Sequence, residues 1–373
     1  MNHTPIPVNE PLLDGNEKKY LDECIDSGWI SSEGPFVKRF EEAFAGRMER
    51  RFGIAVCNGS AALDVAVAAL GLGPGDEVIM PTFTIISCAA SVVRAGALPV
   101  LVDVDPLTWN MDVSRLEDLV TERTRAIMVV HVYGLTVDMN PVIELARRRG
   151  LKIIEDAAQA HGQTYRGRPC GALGDISTFS FYPNKHVTTG EGGMLTTDDP
   201  HLAARCRSLR NLCFKPEQRF MHDELGWNYR MTNLQAAVGV AQLERLDEFL
   251  ARKRQMGACY RRLLADLVEV QLPLPSTDYS ANGYWVFGVV LQDSVAFDAR
   301  EAMARLADRG IGTRPFFWPM HEQPVFRKRG LFAAQVFPHA ERIARRGFYL
   351  PSGLALSEQQ IGTCAQALRE ILP

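Results

Sequence analysis

The chain has 373 residues, 46% of them hydrophobic and 23% charged, which excludes a disordered polymer and a disulfide-stapled miniature and leaves room for two domains of ordinary size. Forty-one basic against forty-four acidic residues give a formal charge of −3, so no global positive field can hold a nucleic acid or an anionic membrane, and an anionic ligand must be held locally. No stretch approaches the roughly 18 consecutive apolar residues of a membrane span, and the eight cysteines form neither a Cys-x-x-Cys pair nor a ligand-like spacing with histidine. A cytoplasmic protein with reduced thiols and no bound metal is expected.

From about residue 54 to 197, short β-branched runs alternate with helix-like segments. Seven strands are predicted: Ile54–Cys57, Glu77–Pro81, Pro99–Asp103, Ala126–His131, Lys152–Asp156, Ile176–Phe181 and Met194–Thr197. This is the pattern of an α/β fold with a mostly parallel, helix-covered sheet. Ser60 is placed to cap a helix over Ala61–Leu70, and Asp138 precedes a helix over Pro141–Arg149 that Gly150 closes. Apolar residues at helical spacing predict one long connecting helix from Leu234 to Leu267. Beyond it, a strand at Tyr284–Leu291 and helices at Phe297–Asp308 and Glu358–Ile371 suffice for a smaller α/β domain. The expected division is 1–245 and 246–373.

In open parallel sheets the ligand crevice lies beyond the carboxyl ends of the strands, so the residues just after each strand carry the chemistry. Asn58-Gly59-Ser60-Ala61 follows a strand and opens a helix of small residues. Its amides and hydroxyl make either a phosphate cradle or an ordinary helix cap. Lys152–Asp156 ends in two carboxylates, Glu155 and Asp156, and Asp156 is either a partner for a protonated ring nitrogen or a helix cap. Ser177–Lys185 ends in a proline-broken turn that presents a lysine before Thr188–Gly193. In such an enclosed turn Lys185 can act as an amine nucleophile. A phosphate anchor, a ring-nitrogen partner and a Schiff-base amine are together what pyridoxal 5′-phosphate requires.

These stretches bring the sequence to a known family. With residues 27–41 (SGWISSEGPFVKRFE), 58–63 (NGSAAL), 73–84 (GPGDEVIMPTFT), 155–162 (EDAAQAHG), 174–194 (GDISTFSFYPNKHVTTGEGGM), 226–237 (GWNYRMTNLQAA) and 314–321 (RPFFWPMH), the chain resembles the DegT/DnrJ/EryC1/StrS group of fold-type-I, pyridoxal-phosphate-dependent sugar aminotransferases. The resemblance implies Lys185 as the Schiff-base lysine and Asp156 as the partner of the ring nitrogen. It implies Gln159 beside the ring hydroxyl, Gly59, Ser60 and Ser180 at the phosphate, and Asn228 reaching the phosphate of a neighbouring subunit. A homodimer with composite sites follows. The sequence departs from its relatives at Ile85, where they carry an aromatic residue that stacks on the ring; aliphatic packing is expected there instead.

The resemblance further implies that L-glutamate donates the amino group and that a nucleotide-linked 4-keto-6-deoxy sugar accepts it. Leu13–Glu17, Trp29–Ser32, Thr188–Gly193 and Arg314–His321 point to GDP-4-keto-6-deoxymannose as acceptor, with UDP- and dTDP-linked keto sugars as the alternatives. Trp29, Ser31, His186, Arg230, Arg314, Phe317 and His321 are the candidate substrate contacts. Aromatics beside Pro315 and Pro319 either line the sugar pocket or pack the two domains together, and a histidine beside a turn is more often structural. A nicotinamide-dependent oxidoreductase is disfavoured because Gly71-Leu72-Gly73-Pro74-Gly75 follows a helix and precedes a strand, the reverse of the dinucleotide fingerprint. The presence of Lys185 argues against the dehydratases of the group, which carry histidine there, and, with Asp156, against a non-catalytic regulator.

Overall fold

A computed structural model describes residues 5–215 and 217–373. Seven strands form the main sheet: β1 (Phe52–Val56), β2 (Glu77–Pro81), β3 (Leu98–Val102), β4 (Thr124–Val130), β5 (Lys152–Asp156), β6 (Ile176–Ser180) and β7 (Gly193–Thr197). Their order is β1-β7-β6-β5-β4-β2-β3. Only β7 runs against the rest, pairing antiparallel with β1 and β6. All seven predicted runs are strands.

Both faces of the sheet are covered, so its strands read as continuous apolar runs. In β4, Ala126, Met128 and Val130 enter one core while Ile127 and Val129 enter the other, as the two-residue period of a strand demands. The helix Gly59–Ala69 packs on the first side, and Met139–Arg149 on the second. Gly150, at φ 67°, closes the latter.

The predicted long helix is two helices, Asn233–Leu243 and Leu246–Leu263. The break at Glu244 and Arg245 is fixed from outside. Tyr20 Oη donates to Glu244 (2.6 Å), Asn16 Nδ2 donates to the same carboxylate (2.7 Å), and Arg245 pairs with Asp14 and Glu248. Those bonds tie the break to the N-terminal segment, and no helical period reveals them.

Beyond the break, four antiparallel strands form a second sheet: β8 (Val270–Gln271), β9 (Phe287–Leu291), β10 (Arg314–Pro315) and β11 (Gly347–Leu350), in the order β8-β9-β11-β10. Helices Ala299–Ala307 and Glu358–Ile371 close its core. Ile6 joins that core from the other end of the chain, donating to Gly310 O and accepting from Gly312 N, both at 2.8 Å. Gly312 and Gly353 clear the path, because a Cβ would stand 2.8 Å from Val8 N and 2.4 Å from Glu10 N. Among the described residues no helix is long and apolar enough to cross a membrane.

Candidate active site

The carboxyl ends of β1, β5 and β6 open onto one cavity of about 510 Å³, within the usual range for a small-molecule site. At the end of β1, Asn58 rather than Ser60 caps the helix: its Oδ1 accepts from Ala61 N at 2.8 Å. Ser60 is thereby released, and its hydroxyl lies 2.7 Å from that of Ser87. The amides of Gly59 and Ser60, first in the helix, have no intrahelical acceptor. Gly59 must be glycine, since a Cβ would stand 2.7 Å from Ser180 Cβ. Two bare amides, the Ser60 and Ser180 hydroxyls and the positive end of the helix thus face one wall of the cavity, an arrangement suited to an anion.

On β5 the two adjacent carboxylates point to opposite faces. Glu155 turns into the protein and takes five donors: Gly171 N, Leu173 N, Gly174 N, Ser177 Oγ and His131 Nε2. His131 Nδ1 already accepts from Val137 N (3.1 Å), so Nε2 carries the proton. Asp156 lines the cavity. Its Oδ1 accepts from Ala158 N at 3.0 Å and its Oδ2 from Cys88 Sγ at 3.2 Å. Burial raises its pKa above the ordinary aspartate value, against the pull of these bonds and of the Lys185 charge.

After β6 the turn Tyr182–Asn184 delivers Lys185 into the cavity. Burial lowers its pKa to about 7, with the Asp156 charge opposing, so an amine free of its proton is available near neutrality. The ammonium nitrogen stands 3.7 Å from the centre of the Trp285 ring. Trp285 Nε1 donates to Asn184 O at 2.7 Å, and Lys253 Nζ, itself buried, donates to Trp285 O at 2.9 Å. Trp285 and Tyr349 both line the cavity, and the sequence does not mark either one, since an aromatic at a strand edge looks like any core residue.

Gln159 and Ile85 also line the cavity. Gln159 Oε1 accepts from Tyr133 N at 2.8 Å, which leaves the amide nitrogen as donor. Ile85, 39% exposed, stands just ahead of the helix Ile86–Arg94 and presents an aliphatic surface. Phe317 forms a further wall, stacked on Tyr133 at 5.3 Å, whereas Phe316 packs into the core against Tyr133 and Trp109.

Three predicted contacts lie elsewhere. His186 is fully buried behind the lysine, its Nε2 3.2 Å from Gly283 O, and burial lowers its pKa to about 3. His321 is buried between Thr82 Oγ1 (2.8 Å) and Glu341 Oε1 (3.1 Å), and so ties the β2 loop to the helix Pro338–Arg346. Arg314 sits on β10 opposite Tyr349, outside the cavity lining. His321 is thus a buried polar group satisfied by partners that no local pattern reveals, whereas His186 is buried with its Nδ1 unpartnered.

Ser31 and Arg230 fall in a second concavity of about 600 Å³, with Arg207, Arg210 and Arg219. Arg210 is held by Glu41, and Arg230 by Asn211 Oδ1. Trp29 lies beside it, its carbonyl accepting from Asn233 Nδ2 at 2.6 Å while Asn233 N donates to Ser31 O at 2.9 Å. Asn228 is exposed and bridges by its backbone to Asn211. Within one chain none of these four reaches the lysine cavity.

The residues of the lysine cavity fit a phosphorylated pyridine aldehyde on the structure's own terms. The amides and hydroxyls at one end suit its phosphate, Asp156 suits a protonated ring nitrogen, and Lys185 suits its aldehyde. Thr178 Oγ1 and Asn184 Oδ1, both in the lining, are buried with no hydrogen-bond partner, which a bound polar ligand would relieve.

The profile of the DegT/DnrJ/EryC1/StrS aminotransferase family matches residues 11–369. The chain belongs to this family. It is accordingly an aminotransferase that uses pyridoxal 5′-phosphate. Among its relatives, GDP-perosamine synthase of Caulobacter vibrioides is 45% identical, with 98% of each chain covered. GDP-perosamine synthase of Vibrio cholerae is 40% identical over 95% of this chain and 96% of its own. In the solved structure of the aminotransferase TlmJ from Streptoalloteichus hindustanus, 32% identical, the fold superposes with a TM-score of 0.90 over 98% of both chains.

Proposed function

We propose that this family member transfers the amino group of L-glutamate to the C4 keto group of a nucleotide-linked 4-keto-6-deoxy sugar, with GDP-4-keto-6-deoxymannose as the acceptor and GDP-perosamine as the product. The observation that carries the reaction type is the convergence of Lys185, Asp156 and the Gly59–Ser60–Ser180 cradle on one cavity. The choice of sugar rests on two GDP-perosamine synthases that are 40 and 45% identical over nearly the whole chain.

In this reading the cofactor supplies an electron sink for the carbanion formed when the substrate carbon loses its proton. Gly59 and Ser60 amides and the Ser60 and Ser180 hydroxyls hold the phosphate, and Ile85 packs against the ring. Asp156 holds the proton on the ring nitrogen. Lys185 would anchor the cofactor through Nζ, and the same nitrogen would carry the proton between the two carbons that exchange it. Gln159 donates toward the ring hydroxyl, and Phe317 bounds the sugar.

The same reading makes the protein a cytoplasmic homodimer, and its eight free cysteines suit a reducing compartment. Asn228, Arg230, Trp29 and Ser31 then act in the partner's cavity, which accounts for their lying apart from the lysine of their own chain. The division near residue 245 belongs to this reading and is supported by the helix break at Glu244 and Arg245.

Two experiments test it. Borohydride reduction of the purified protein followed by peptide mapping should label Lys185, and a label elsewhere, or none, sinks the assignment. Incubation with glutamate and a panel of GDP-, UDP- and dTDP-4-keto sugars should release 2-oxoglutarate fastest with the GDP-linked acceptor; preference for another nucleotide overturns the choice of sugar and leaves the chemistry standing.

A further inference from the structure

We infer that Cys88 is a positioning residue for Asp156, its thiol fixing the plane of the carboxylate that faces the cofactor ring. This rests on the reading of Asp156 as the partner of the ring nitrogen.

The two oxygens of Asp156 are held from two directions. Oδ1 is bound locally by Ala158 N at 3.0 Å, and Oδ2 is bound by Cys88 Sγ at 3.2 Å, from a helix that starts after β2. The first bond alone leaves the carboxylate free to turn about its last torsion, which is broad and soft. The second stops that rotation. Cys88 is itself anchored, with Thr84 Oγ1 3.5 Å from its sulfur. Thr84, Cys88 and Asp156 are 1, 0 and 3% exposed, so water cannot take over the donor's place.

The chemistry of sulfur suits this position. Burial, reinforced by the neighbouring Asp156 charge, pushes the Cys88 thiol well above its ordinary value, so it stays protonated and donates. A thiol is a weak donor. It can orient the carboxylate while drawing off little of the negative charge that keeps a proton on the ring nitrogen. Cys88 lies one helical turn beyond Ile85, on the buried face shared with Ala89 and Val92, which explains why its position along the sequence resembles that of a plain core residue.

The test uses the full-length holoenzyme loaded with cofactor labelled with nitrogen-15 in the ring, and reads the ring-nitrogen chemical shift beside steady-state kinetics. The wild type should show a protonated ring nitrogen. Cys88→Ala should move the shift toward the unprotonated value and lower kcat about 5- to 10-fold, the loss expected for one buried hydrogen bond, while KM for glutamate changes less than about twofold. Cys88→Ser, which keeps a donor, should restore the wild-type shift, and Cys88→Val, which fills the space without one, should behave as Cys88→Ala does even if the smaller residue impairs folding. A protonated wild type with unchanged shifts in both Cys88→Ala and Cys88→Val overturns the role of Cys88 alone. An unprotonated wild type overturns the reading of Asp156, and the inference falls with it.

Discussion

Glu155 and Asp156 are neighbours with opposite duties, and Glu155→Gln separates them. The glutamate accepts four bonds of 2.6 to 3.1 Å from Gly171, Leu173, Gly174 and Ser177, and a fifth from His131. A glutamine must turn its amide nitrogen toward either the His131 and Gly171 donors or the Leu173 and Gly174 donors. In each orientation two buried N–H groups face a third, and the histidine cannot switch tautomer without stranding Val137 N. Two orphaned donors and a lost charge cost about 3–5 kcal/mol.

The depressed pKa of Glu155 leads to a similar figure. Burial alone would raise the Glu155 pKa, but the bonds from His131, Gly171 and Leu173 outweigh it and hold the group at about 2 against a usual 4.5. That difference corresponds to about 3 kcal/mol of stability. Because the folded value is the lower one, this stability is fully present above about pH 4.5 and is lost as the pH falls toward 2. Thermal unfolding at fixed cofactor concentration should place Glu155→Gln about 4–6 °C below the wild type at pH 7, with the two converging as acid is added. A shift under about 1 °C at pH 7, or a gap that persists unchanged at pH 2, would refute the reasoning. Asp156→Asn should instead leave unfolding nearly unchanged and alter the absorbance of the bound cofactor.

Lys185→Ala should abolish transamination with an unchanged circular dichroism spectrum, since the turn loses only a side chain; retained turnover would refute the mechanism. Gly59→Ala drives a methyl to 2.7 Å from Ser180 Cβ, an overpacking cost of about 1–3 kcal/mol, and cofactor titration should show affinity weakened about 10- to 100-fold with the fold intact. Trp285→Leu removes both the Nε1 bond to Asn184 and the aromatic face over Lys185; kcat should fall about 10-fold or more, and less in Trp285→Phe, which keeps the face. Mixing inactive Lys185→Ala with Asn228→Asp subunits should regenerate about a quarter of the wild-type sites if those sites are composite. No recovery after subunit exchange argues for sites complete in one chain.

The sheet was legible because its strands are short, β-branched and buried on both faces, and each is punctuated by a glycine or proline turn. The lysine, the aspartate and the glycine-serine turn were legible for a related reason, since a parallel sheet gathers the residues after its strands at one edge. What stayed hidden depends on partners far away in sequence. Nothing local distinguishes Glu155 from Asp156, because a strand turns successive residues to opposite faces and the loop that satisfies Glu155 begins 16 residues later. In the sequence Ser60 reads as the helix cap because Asn58 and Ser60 are both good caps, and only the backbone decides between them. His321 finds Thr82 across 239 residues, and Trp285 finds Asn184 across 101, separations over which spacing carries no signal.

The strand-like attachment of Ile6 sets an order of events for assembly. Ile6 leaves the ribosome about 300 residues before the Gly310–Gly312 backbone that receives it, so this pairing closes one of the longest loops available to the chain, a slow class of contact. The main sheet is complete by Thr197, and it can form while the segment ahead of it is still unattached. Ser352 N, which binds Val8 O at 2.9 Å, arrives later still. Fastening the early segment is therefore a late latch on a nearly finished protein, and Ile6→Asp should slow the final phase of refolding while leaving the formation of the large sheet at its wild-type rate.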